Sequence, residues 1–284
     1  MPALISKPRA QFYSCTTNNC TRLTDYKLLC DGPTDSVTRF QYTNGDIPRI
    51  QIFLECKIVS EITGTVGDTV VPRIAGVIGG TIPLGAQIQF WFRTGTSGPY
   101  SYQPAGTPPA VMQARPHGGR AAWSIIPAGG EPVTGLLMQV MNMDDELYTG
   151  SIFDIGEIFL SDATEVNIEP GWQVTADDNT NRRYTRYRQP QPYRGVPRNV
   201  VDFTPAVLLR PDALALDATL SALDRGTPAV LSLRSTNAAG AYDAATANAL
   251  TFYGDMTKQP ALQHAAGDYF RFTAGQFTET PTPA

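Results

Sequence analysis

Histidine is nearly absent from this chain, with two in 284 residues. Histidine is the commonest general base and metal ligand, so its scarcity narrows the chemistry sharply. His117 sits in the turn-like RPHGGR and His264 in LQHAAG, just ahead of a strand, and neither has a carboxylate or cysteine at motif spacing. No GxSxG, HExxH or P-loop occurs. The sequence therefore reads as a non-enzyme with no cofactor and no metal. Cysteine is also scarce: Cys15, Cys20, Cys30 and Cys56, none in a CxxC pair. That spacing excludes a zinc ribbon. Cys56 falls on the apolar face of a strand and reads as a small buried hydrophobe. Cys15, Cys20 and Cys30 read as free thiols in a reducing compartment. Bridged cysteines and an iron–sulfur cluster stay open as alternatives.

Charged residues make up only 17% of the chain, and the net charge is -4. No stretch approaches the ~18–20 apolar residues needed to span a bilayer, so no membrane insertion is expected. The N-terminus, MPALISKPRAQFYSC, has no apolar block of secretory-signal length, which points to assembly in a cytosol. The Asx-rich run Asp177-Asp178-Asn179-Thr180-Asn181 fails as a calcium loop. Arg182 and Arg188 stand where an EF-hand needs its glycine and its closing glutamate.

What is plentiful is glycine and proline, 25 and 23, spread between short apolar runs. That distribution predicts many strands joined by turns. Period-two alternation marks strands at 49–59 (RIQIFLECKIV), 87–93 (QIQFWFR), 135–142 and 151–160. Gly79-Gly80 and Gly129-Gly130 supply turns with positive φ. Further strands are expected at 199–209, 229–234, 249–254 and 268–273. One helix is expected at about 211–225, opened by Pro211 and Asp212, striped by Ala213, Leu216, Leu220 and Leu223, and closed by Arg225 and Gly226. The fold class is mainly β: an antiparallel β-sandwich of jelly-roll or discoidin type, then a second α+β antiparallel domain with one helix. The predicted organisation is an N-terminal extension (1–24), the sandwich (25–165), a linker arm (166–198), the α+β domain (199–275) and a flexible tail (276–284).

The arm is the most unusual stretch. Arg182, Arg183, Arg186, Arg188, Arg194 and Arg198, with Tyr184, Tyr187 and Tyr193, fall within 17 residues that contain no acid. Such a segment cannot form a hydrophobic core, and arginine with tyrosine is what buried protein contacts favour. Pro190, Pro192 and Pro197 predict a stiff, extended arm that docks on a neighbouring subunit. The rest of the chain is acidic, which argues against nucleic acid. Asp144, Asp145, Glu146 and Glu165 are candidate partners for the arginine forks. An acidic chain with one basic arm is complementary to itself head to tail, and such contacts close into rings. A separate candidate is a glycan platform of Trp91, Tyr100, Tyr102 and Trp123, in or near the loops of the sandwich.

At 153–203 the pattern resembles the tail structural proteins of long-tailed bacteriophages and related prophages. The carrying features are a sandwich strand ending in Gly156-Glu157-Ile158-Phe159-Leu160, Trp172 in an irregular linker, the arginine-rich segment, and a strand with Asp202-Phe203. The resemblance covers roughly 40–275 in order of elements. It implies a galactose-binding-like or discoidin-like sandwich ahead of a ring-building domain similar to that of tail tube proteins. It further implies a homo-oligomeric ring of three or six copies in the virion tail tip or baseplate, assembled in the host cytoplasm beside other tail proteins. The alternative is a carbohydrate-binding module or adhesin that touches a host-surface glycan.

Overall fold

The N-terminal strand Pro2–Asn18 organises the molecule. The structure, a computed structural model, describes residues 2–29, 36–43, 49–59, 66–67, 71–94, 102–105, 107–115, 119–142, 149–177, 181–184, 190–193, 198–223, 228–233 and 243–280. The chain is mainly β, with antiparallel sheets and two α-helices among the described residues. Residues 2–9 of the N-terminal strand pair with strand Glu157–Asn167, and Leu4 and Ile5 pair on the other side with strand Ala229–Ser232. Residues 10–18 then pair with strand Arg49–Val59. Register shifts between Ser6 and Arg9 and between Phe12 and Ser14 accompany the crossing. A bulged strand that leaves one sheet for the other is how a sandwich turns its corner.

This corrects the expected N-terminal extension at 1–24. The segment is a central strand, and Ala3, Leu4 and Ile5 are all buried. Both faces are covered from Ala3 to Ser6, so the strand opens on an apolar run in place of alternation. It also joins the two expected units, because one sheet runs without a break from the sandwich into the α+β part. The tail expected at 276–284 is corrected too. Strand Gly275–Glu279 pairs with strands Thr251–Lys258 and Arg198–Phe203 and buries Phe277.

The sandwich faces this sheet with a second one, built on Arg49–Val59, Val133–Met141 and Gln87–Thr94. Ile52, Leu54, Phe90, Leu136 and Met138 from it meet Ala75, Val77, Ile158 and Leu160 from the shared sheet in one core. The expected strand at 151–160 is two strands, Ile152–Ile155 and Glu157–Asn167. The break falls at Gly156, where a Cβ would lie 2.6 Å from the carbonyl oxygen of Ile78.

Further along the same face of the shared sheet lies α1, Arg210–Ala222. Pro211 opens it and Asp212 stands in its first turn, as expected. Its stripe of Ala213, Leu216, Leu220 and Leu223 is buried against Val201, Phe203, Leu231, Phe252 and Phe277. Its C-terminal carbonyls are served from another element, since Gln259 Nε2 donates to Leu220 O at 3.1 Å and Leu223 O at 2.9 Å. The opposite face of the sheet carries a third core of Leu4, Trp123, Phe159, Val230 and Tyr253.

The short helix α2, Ala244–Ala249, closes that side and was not expected from the sequence. Asp243 caps it by accepting from Ala245 N and Thr246 N. Asn248 accepts from Trp123 N at 3.1 Å and donates to Val111 O at 2.6 Å. Arg115 donates to the carbonyls of Asn248 and Thr251, fastening sandwich to helix. Burial pulls the Arg115 guanidinium below its ordinary range, against the raising influence of Glu279. No described helix is long and apolar enough to cross a membrane.

Candidate functional site

The shared sheet ends on strand Gln173–Asp177. It pairs with Arg198–Phe203 from Gln173↔Asp202 to Asp177↔Arg198, and no strand borders its other side among the described residues. Its side chains are exposed from Gln173 to Ala176. An open edge of this kind presents unpaired backbone groups to any strand that arrives.

The arginine–tyrosine segment forms a two-strand ladder of its own, separate from the shared sheet. Asn181–Tyr184 pairs with Pro190–Tyr193, with Arg182 opposite Pro192, Arg183 opposite Gln191 and Tyr184 opposite Pro190. The expected extended arm is therefore corrected to a β-hairpin. Prolines two residues apart suit it, because alternate residues of an antiparallel strand make no ladder hydrogen bond to the partner. Strand Gly275–Glu279 pairs with Arg198–Phe203 only from Val200 onward. Arg186, Tyr187 and Arg188 lie outside the described residues, as do Arg194 and Pro197.

Arg198 is also corrected, because it does not serve as a free contact. Its Nε and Nη2 both donate to Asp177 Oδ2 at 3.4 Å, within the same chain. Of the expected carboxylate partners, Glu165 is held by Arg73 at 3.4 Å, and Asp144, Asp145 and Glu146 lie outside the described residues.

Beside the root of the hairpin the sheet holds a groove of about 350 Å³. Three cross-strand rows floor it. The first is the Asp177–Arg198 ion pair, with side chains 42% and 35% exposed. The second is Thr175, Val200 and Thr278, and Asp255 stands opposite Thr278 in the next strand. The third is Asp202 and Gln276, where Gln276 Nε2 donates to Asp202 Oδ1 at 3.0 Å. Thr257 and Thr278 hydroxyls share a bond of 3.0 Å. Burial pushes the Asp255 carboxyl above its ordinary range, and its buried Oδ1 has no hydrogen-bond partner. No local pattern points to this groove, because its residues come from four strands spread between 175 and 278.

Trp123 does not belong to the expected glycan platform. Trp123 is 1% exposed, packed edge-on against Phe159, and so belongs to the core. Trp91 does lie on the outer face of its strand, half-buried beside Leu137 and Pro104 in register. Tyr102 opens strand Tyr102–Pro104 opposite Arg93, and Tyr100 lies outside the described residues. Nearby, Arg93 reaches Glu55 at 3.2 Å across Gly135.

His264 braces a turn, its Nε2 2.9 Å from Gly267 O and its ring against Phe270, while His117 lies outside the described residues. Cys15 and Cys20 are free thiols, half-buried and buried. Burial pushes the Cys20 thiol up to about 12. Cys30 lies outside the described residues, and Cys56 stands opposite Phe12 in the ladder.

No family model matches the chain, and no curated protein does. Among solved structures it is similar to CpGH89CBM32-6 produced by Clostridium perfringens, at 11% identity and a TM-score of 0.26, over 51% of this chain and 91% of that one. At that score the likeness carries no inference about this protein.

Proposed function

We propose that this protein is a structural subunit of a bacteriophage tail tip or baseplate, assembling with copies of itself into a ring of three or six that joins the tail tube to distal parts. One observation supports the reading. The open edge strand Gln173–Asp177, exposed from Gln173 to Ala176, leads along the chain into the arginine–tyrosine hairpin. That stretch holds the densest cation and tyrosine content of an otherwise acidic chain. An open edge strand with a basic hairpin next to it in the chain suits a heterologous contact, in which one copy's edge meets a different surface of the next. The arginines that the reading assigns to this contact are Arg182, Arg183, Arg186, Arg188 and Arg194; Arg198 pairs with Asp177 of its own chain.

The test is particle mass in solution by sedimentation velocity. The wild-type chain is expected to sediment as a closed oligomer. Replacing Arg183, Arg186 and Arg188 with alanine is expected to give folded monomers. An unchanged oligomer in that variant, or a monomeric wild type, would refute the reading.

A further inference from the structure

We propose that the outer face of the sandwich's second sheet, around Gln51, Gln139, Gln89 and Trp91, binds a neutral glycan. The proposal is independent of the assembly reading.

The face is built from rows that cross strands Arg49–Val59, Val133–Met141 and Gln87–Thr94. Ile52, Leu54, Phe90, Leu136 and Met138 of these strands point into the core, so the residues between them point outward. In the first outward row Gln139 stands between Gln51 and Gln89, with Asn18 beyond Gln51. Three glutamines and an asparagine thus lie side by side over about 14 Å, at the ordinary strand spacing. In the second row, two residues along, Leu137 stands between Phe53 and Trp91, with Pro104 beyond Trp91. In the third row Arg93 reaches Glu55 at 3.2 Å across Gly135. A Cβ at Gly135 would stand 3.1 Å from Arg93 Nε, so the glycine gives the guanidinium its passage.

Gln139 carries the argument. It is 6% exposed, and its amide makes no hydrogen bond among the described residues. An amide taken out of water without a partner is destabilising, and a ligand that meets its oxygen and its nitrogen removes that cost. Its neighbours are only partly engaged. Gln51 Oε1 accepts from Asn18 Nδ2 at 3.1 Å, and Gln89 Nε2 donates to Thr107 O at 3.4 Å. The Gln51 nitrogen and the Gln89 oxygen are left on either side of Gln139, so donors and acceptors lie together in the row. Sugar hydroxyls both donate and accept and so answer such a row, whereas a carboxylate only accepts and an ammonium only donates.

The second row supplies the apolar half of a saccharide site. Trp91 is half-buried, and its Nε1 is buried without a partner, so the ring offers carbon to the solvent. Leu137 beside it belongs to none of the three cores. The C–H face of a pyranose packs on such a surface, as other apolar faces pack on aromatic rings. Charge then sets the class of glycan. The Arg93–Glu55 pair of the third row is closed within the chain, and Arg93 Nε also donates to Thr134 Oγ1 at 3.2 Å. The first two rows hold no charged residue, so nothing in them favours an acidic polymer.

The experiment is native affinity electrophoresis of the full-length chain through gels that each contain one polysaccharide. The neutral probes are dextran, laminarin, galactomannan and arabinoxylan, and the acidic ones are alginate and polygalacturonate. Retardation is expected in at least one neutral gel and in neither acidic gel. It is expected to persist in added salt, because a neutral ligand has no charge for ions to screen. Gln139→Leu keeps a similar volume and removes the amide, and Trp91→Ala removes the ring, with Gln51→Ala and Trp91→Leu as milder versions. Far-UV circular dichroism selects the folded ones, and each is expected to weaken binding about tenfold. No retardation in any neutral gel overturns the proposal. So does retardation confined to the acidic gels or lost in salt, or binding that the folded variants keep in full. If the variants lower the particle mass in solution while no neutral gel retards the wild type, the face is a subunit contact and the proposal fails.

Discussion

Gly76→Ala tests the architecture on which the site depends. Gly76 lies in strand Ile74–Ile78 of the shared sheet, directly opposite Trp123 in the ladder. A Cβ there would stand 2.2, 2.4 and 2.9 Å from Cε3, Cζ3 and Cδ2 of the indole. Carbon atoms rest at about 3.5–4 Å, so three contacts would overlap by roughly an ångström. The ring has no room to retreat. It is 1% exposed and stands edge-on to Phe159 at 6.0 Å. Phe159 in turn stands edge-on to Tyr253 at 6.0 Å, and the Tyr253 hydroxyl donates to Glu157 Oε2 at 2.6 Å. Overpacking of a rigid site costs about 1–3 kcal/mol, and this site belongs at the upper end. At about 2–4 °C per kcal/mol for a chain of this size, the melting temperature should fall by about 6–12 °C. Thermal melts by far-UV circular dichroism on wild type, Gly76→Ala, Trp123→Leu and the double variant would read it. Trp123→Leu should be destabilising in its own right, but it opens the space that the new methyl needs. The cost of Gly76→Ala should then fall below about 1 kcal/mol in that background. A Gly76→Ala protein melting within a degree of wild type, or an equal cost in both backgrounds, would refute the packing and with it the core placement of Trp123.

Gln259→Ala removes the donor shared by the last carbonyls of α1, and it should cost about 1 kcal/mol. Hydrogen exchange should quicken at the helix C-terminus; protection equal to wild type there would show that the carbonyls are capped otherwise. Cys20 should resist iodoacetamide at pH 8 in the native protein and react at once in urea, because a thiol raised to about 12 holds almost no thiolate. Peptide-resolved mass spectrometry reads that, and rapid native labelling at Cys20 would contradict the burial. The same shift fixes a pH dependence. From pH 9.0, the ordinary thiol value, to about 12, the unfolded chain gives up the Cys20 proton and the native chain keeps it. Stability therefore falls as pH rises through that window and is unaffected by this group below it. Denaturant midpoints taken at pH 8 and pH 10.5 on wild type and Cys20→Ala would separate this contribution from that of the other titrating groups.

The strands legible in the sequence are those with one wet face. Arg49–Val59 and Gln87–Thr94 alternate because their outer face is only half-covered, and they lie where the period-two pattern puts them. The helix stripe Ala213, Leu216, Leu220 and Leu223 was legible for the same reason, since one side of α1 meets the core and the other meets water. Pro2–Asn18 and Ile74–Ile78 were not legible. Ile74–Ile78 and the opening residues Ala3 to Ser6 of the first strand lie in the middle of a sheet covered on both faces, where alternation vanishes. Trp123 was misjudged on similar grounds: a tryptophan near turn-rich sequence passes for a loop aromatic until the strand beneath it, with Gly76 making room, is seen.

By itself, the sequence determined that this is a mainly β chain with two histidines and a single concentrated band of arginine and tyrosine. Those are properties of composition and local period, and a one-dimensional string carries them in full. Only the tertiary structure decided that residues 2–18 hold the sandwich and the α+β part in one sheet, that segments 181–184 and 190–193 of the basic band pair as a hairpin, and that residues of four distant strands line one polar groove. Each of these depends on which strands become neighbours. Thr175, Asp202, Asp255 and Gln276 meet across hydrogen-bonded ladders between segments far apart in the chain, and no local pattern records such pairing.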